Sequence, residues 1–141
     1  MSTRAIAVKV ALKAIADKQP IVSRDRIHVT YGFPTREPDR RWIAIGQIDW
    51  SDASWSTNRS RTESFSVTVV FSVVMRGGTS REAEAYAAEM ARDFETALSA
   101  DPSIRGLCIT SGFIPRTIKS WPADGAYEAQ FETQVTATCR P

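Results

Sequence analysis

Few of the side chains that could do chemistry have a partner at a useful spacing. His28 is the only histidine, so every metal motif built on paired histidines is ruled out. A lone imidazole in a strand-like run reads as a packed or half-exposed residue before it reads as a base. No serine sits in a Gly-x-Ser-x-Gly elbow, so a hydrolytic triad around His28 would have no marked nucleophile. The run Arg76-Gly77-Gly78-Thr79-Ser80 opens a helical pattern and could offer backbone amides to an anion, but the P-loop spacing is missing and a turn followed by an N-cap explains each residue. Cys108 and Cys139 lack CxxC spacing, both lie in strand-like runs, and in a reducing compartment they are expected as thiols. Glu82, Glu84, Glu89, Asp93 and Glu95 share the polar side of one helical pattern. With no apolar neighbours to raise a pKa, they read as a solvated or partner-facing acidic face. The expectation is a protein without catalytic machinery, metal or cofactor.

Recognition is better supplied. DWSDASWSTNRSRT, residues 49 to 62, places Trp50, Trp55, Arg59 and Arg61 in a connection longer than a hairpin needs. Trp and Arg are the residue types most enriched at interface hot spots, one for rigid apolar area and the other for its planar donor fork. Arg24, Arg26, Arg36, Arg40 and Arg41 form a second group. Asp25, Glu37 and Asp39 interrupt it, which cancels the field that phosphate binding requires and suggests an ion-paired contact instead.

These groups must be positioned by a fold readable from periodicity. Residues 3 to 17 read as a helix that Thr3 can cap, with Ile6, Val8, Leu12 and Ile15 on an apolar face and Arg4, Lys9 and Lys13 opposite; Pro20 ends it. A short strand is expected at 27 to 31, then a strand from Arg41 to Trp50 that is apolar on both faces and so central or covered twice. Residues 63 to 75 alternate most clearly, with Phe65, Val67, Val69, Phe71, Val73 and Met75 on one side. At about 3.3 Å per residue that strand is long for a domain of this size, so one end is expected to project and carry the Trp loop with it. Gly77 and Gly78 turn the chain into a helix from Ser80 to Ser99, with a Thr79/Glu82 capping box and Ala83, Tyr86 or Ala87, Met90, Phe94 and Leu98 facing inward. Strands at 107 to 121 and 126 to 139 follow, the latter apolar on one face and wet on the other. The order α-β-β-β-α-β-β predicts an α+β domain with a mostly antiparallel sheet of four to five strands and two helices on one face.

At 141 residues the chain is expected to be one domain, 1 to 141, with a projecting loop or hairpin around 49 to 62. No apolar run reaches the roughly 18 residues of a membrane span, and no signal-peptide pattern opens the sequence, so a cytoplasmic setting without membrane contact is expected. Residues 1 to 41 hold nine Lys or Arg against four Asp or Glu, a balance of +5, and residues 42 to 141 hold nine against twelve, a balance of −3. Such polarity suits head-to-tail contact between copies as well as a nucleic-acid footprint.

The order of elements resembles that of the tail terminator proteins of long-tailed, siphophage-type bacteriophages. So do the phrases ALSADPSIRGLCITSGFIP at 97 to 115 and FSVTVVFSVVM ahead of a GGTSREAEAYAAEM helix. The resemblance implies a structural virion protein without cofactor, assembled in the host cytoplasm and placed at the head-proximal end of the tail. It implies a homo-oligomeric, hexameric ring that caps the tail tube, ends its polymerisation and offers a joining surface to the head-neck connector. Self, the tail tube protein and the connector are then the partners, with no specific nucleic acid. A head-tail connector or tail-tube subunit is the neighbouring alternative, and a small nucleic-acid-binding protein the distant one. The residues expected at contacts are Trp50, Trp55, Arg59 and Arg61 from the loop, Arg36, Arg40 and Arg41 from the basic third, and Glu84 and Glu95 from the acidic helix.

Overall fold

The computed structural model describes residues 3–34, 40–52 and 62–140, with only the backbone at 51 and 52. The elements are α1 (Ala5–Asp17), α2 (Pro20–Arg24), β1 (His28–Tyr31), β2 (Arg41–Asp52), β3 (Glu63–Arg76), α3 (Ser80–Ala100), β4 (Thr110–Ala123) and β5 (Ala126–Cys139). The fold is α+β, with one five-stranded sheet in the order β1-β2-β3-β5-β4 and helices on one face. β1 pairs parallel to β2, and every other pairing is antiparallel. β5 lies between β3 and β4, so β3-α3-β4 is a split β-α-β unit with α3 as its crossover.

Two features of the element order and pairing go beyond the sequence reading. A third helix, α2, follows α1 because Pro20, expected only as a terminator, is pre-set for the first helical position. The sheet also holds one parallel pair, β1 with β2, which periodicity along the chain does not specify. Phe33, just after β1, lies over Gly46, where an added Cβ would come within 2.7 Å of its ring.

The core lies between the sheet and the helices. Phe65, Val67, Val69, Phe71 and Val73 of β3 meet Ala83, Ala87, Met90, Phe94 and Leu98 of α3, as the two periodicities require. The Phe71 and Phe94 rings meet edge-on at 5.9 Å, and Phe113 of β4 extends the stack at 6.2 Å. The fully buried Phe71 and Phe94 rings each contribute about 1.5–3 kcal/mol of transfer free energy. On the opposite face Trp42, Ala44 and Val70 form a smaller buried cluster, so β2 is covered on both sides as its composition suggests. β3 is paired along its whole length by β5, and its first residue, Glu63, is buried, so the strand itself stays within the sheet.

Thr79 caps α3 by accepting from the Glu82 amide at 3.2 Å. After α3 the chain turns through Ile104, Arg105 and Gly106, all with left-handed φ of 48°, 57° and 78°. A β-branched residue rarely adopts this conformation. Here the turn is pinned by Asp101, which accepts from Ser103 Oγ at 3.1 Å and from the Arg105 amide at 2.9 Å, and by complete burial of Ile104.

Candidate assembly interface

The candidate contact residues fall into three places on this frame. At the end of the sheet where β2 and β3 meet, Glu63 is a buried carboxylate surrounded by donors. Thr3 Oγ1 donates to Oε1, the Arg4 amide donates to Oε2 at 3.1 Å, and Trp50 Nε1 donates to Oε1 at 2.8 Å. Burial opposes ionisation of Glu63, but the three donors outweigh it and hold its carboxyl below the usual range. A carboxylate against the open amides of α1 also complements the helix dipole. Thr3 does bond at the helix start, accepting from the Ala5 amide at 3.1 Å, but Arg4 occupies the cap position. Trp50 is thereby fixed by its indole N–H while 44% of its surface stays exposed. Trp55, Arg59 and Arg61, the rest of that loop's candidates, and Arg36 in the earlier turn lie outside the described residues.

The second place is the arginine group. Arg24 forks onto Asp25 through Nε at 3.0 Å and Nη2 at 3.1 Å and also reaches Glu89 at 3.9 Å. Tyr86 OH donates to the same Asp25 carboxylate. The Arg24 fork, then the Tyr86 hydroxyl, hold the Asp25 carboxyl at about 2. Burial, and then the bond to Asp25, push the Tyr86 phenol up. Arg41 Nη1 donates to the Asp25 carbonyl at 3.3 Å, and its guanidinium stacks 5.0 Å from the Tyr86 ring centre. Arg24 is therefore ion-paired within the chain, chiefly by Asp25 and at longer range by Glu89 of α3, and Arg41 is engaged by Asp25 and Tyr86. Arg40 is exposed and, with Asp25, Arg26 and Arg41, lines a cleft of about 350 Å³. On α3, Glu84 is half-buried and Glu95 exposed.

The third place was not singled out by motif. Most of the large exposed apolar side chains among the described residues lie toward the two lateral edges of the sheet. Ile6 and Val10 of α1, Tyr31 and Trp50 belong to the β1–β2 side, and Ile109, Ile114 and Ile118 to the β4 side, whereas Phe33 lies over the sheet face, in a cleft shared with Val70, Thr117, Lys119, Gln130 and Glu132. Ile6 was expected on the buried face of α1 but is 59% exposed; the buried stripe is Ala5, Val8, Ala11, Leu12, Ile15 and Ala16. The signal was present in the sequence, since Ile6 and Val10 are four residues apart and off the stripe begun by Val8 and Leu12. Lys9 sits beside them with its ammonium 4.2 Å from the Tyr31 ring centre, and burial lowers its pKa.

Elsewhere, His28 is exposed on β1, and no group of three His, Cys, Asp or Glu side chains among the described residues could hold a metal ion. No described helix is long and apolar enough to cross a membrane.

No protein-family model matches the chain, and no curated protein matches it. Among solved structures it is similar to a chain of the virion of the native gene transfer agent (GTA) particle. The two share 17% sequence identity at a TM-score of 0.48, over 94% of this chain and 98% of that one. It is also similar to the bacteriophage SPP1 gp17 protein at 16% identity and a TM-score of 0.43, over 96% of each chain.

Proposed function

We propose that the chain is a structural subunit of a phage-type virion, which closes into a ring on the end of a tail tube, stops tube growth and presents a joining surface to the neck. The observation that supports this is the concentration of most of the large exposed apolar side chains at two unlike sheet edges. A patch on one edge meeting a different patch on the other is a heterologous contact, and such contacts close into rings when the rotation permits. Trp50, with Trp55, Arg59 and Arg61 beyond it, would form a contact arm toward tube or neck. Arg40, Glu84 and Glu95 remain available as polar rim, whereas Arg41 is committed within the subunit.

The nucleic-acid alternative is less well supplied, because Asp25 and Glu89 neutralise part of the basic group it would use.

The test is to add the purified chain to growing tail tubes and examine tube length and tube ends by electron microscopy. Growth should stop, with a ring of density at one end of each tube and the chain monomeric in the absence of tubes. Incorporation along the tube wall would instead identify a tube subunit, and binding to the neck without any effect on length a connector.

A further inference from the structure

Cys108 lies in the turn between α3 and β4, Cys139 is the last residue of β5, and their Sγ atoms are 2.8 Å apart. Both thiols are buried and free, with Cys108 8% exposed and Cys139 fully covered. The backbone holds them there: the Cys108 amide donates to the Ser103 carbonyl at 2.8 Å, closing the left-handed turn, and the Ile109 amide donates to the Thr138 carbonyl at 2.8 Å. A disulfide bond is about 2.05 Å long, so closure asks for less than about 1 Å of sulfur movement. We propose that Cys108 and Cys139 are a modification site, forming an intrachain disulfide when the chain meets a low-molecular-weight disulfide such as oxidised glutathione in a non-reducing environment.

The chemistry balances as two thiol–disulfide exchanges. One cysteine thiolate attacks a sulfur of the small disulfide, forms a mixed disulfide and expels one small thiolate. The other cysteine thiolate then attacks the protein sulfur of that mixed bond and expels the second. The two protein thiols lose two electrons and two protons in total, and the small disulfide gains them as two thiols. Cys108 is the sulfur more open to the first attack. Burial pushes both thiols up, so thiolate is scarce in the closed fold and the exchange runs through folding or through opening of the turn. The cross-link would tie β5 to the start of β4 close to the Glu63 network, and it does not depend on the ring reading.

To test this, the reduced full chain is unfolded and refolded in a mixed glutathione buffer. Intact mass should show loss of two hydrogens without an adduct, and peptide mapping should join the segment holding Cys108 to that holding Cys139. The linked chain should melt about 5–10 °C above the reduced chain, and a reductant should abolish the difference. Dominance of free thiols, glutathione adducts or intermolecular dimers after refolding would overturn the proposal, as would a linked form that melts lower. Comparing wild-type oxidised and reduced forms needs no variant, and Cys139→Ala should lose the mass change and the melting difference together.

Discussion

The two lateral edges of the sheet carry similar exposed apolar residues on opposite kinds of support. On one side β1 is only four residues long, and its apolar patch comes chiefly from a helix, through Ile6 and Val10 of α1. On the other side β4 runs fourteen residues as an outer strand with no described helix along its open edge. A bare edge of that length invites strand addition, yet β4 contains Pro115 and Pro122, a bulge between Pro115 and Thr117, and exposed Arg116 and Lys119. Those features discourage strand addition from a neighbouring chain, so a contact at this edge would be made by side chains. A contact between these unlike edges would be heterologous and not two-fold, and side-chain contacts of modest area depend on a template.

The most decisive way to break this comparison is to spoil the edges separately. Ile6→Glu with Val10→Glu, or Ile114→Lys with Ile118→Lys, should each abolish rings on tube ends in electron micrographs while the far-ultraviolet circular dichroism stays as in the wild type. If either pair assembles normally, that edge is not a contact. Next in size, Glu63→Ala should cost about 1–3 kcal/mol in chemical denaturation, because a buried ionised acceptor with three donors is lost. The pH dependence follows from the same geometry. Glu63 and Asp25 both have carboxyls held low in the fold, so their stabilisation is complete above about pH 4.5 and is lost as acid carries the pH down through the folded values, near 2 for Asp25. Glu63→Gln should flatten part of that acid limb; an unchanged limb would mean the clamp carries no charge-dependent stability. Pro115→Val with Lys119→Val removes guards from β4 and should raise light scattering on storage without lowering the melting temperature. The smallest effect is expected from Arg41→Lys, about 0.5–1 kcal/mol from the lost stacking on Tyr86, with assembly unaffected.

Much of this architecture was legible because local and global signals agree. The alternation in β3 and β5 and the helical spacing from Ala83 to Leu98 gave both the elements and their inward faces. What escaped was what no local pattern encodes. The parallel pairing of β1, the insertion of β5 between β3 and β4, and the approach of Thr3 to Glu63 join residues far apart in the chain. Nor does a local pattern encode which side chains are already engaged within the chain: the Arg41 guanidinium rests on Tyr86, and Ile6, expected in the core, lies off the stripe that its neighbours fill.

The position of β5 also sets a timetable. On the ribosome, β3, α3 and β4 emerge before the strand that must separate and pair them, so β3 and β4 each wait with an unfilled hydrogen-bonding row. The sheet closes only when residues 126 to 139 arrive, through pairings distant in sequence such as Glu63 with Cys139. A half-made chain therefore lacks the finished β4 edge, and if the chain assembles as proposed it should become competent to join a neighbour only after this strand has left the ribosome.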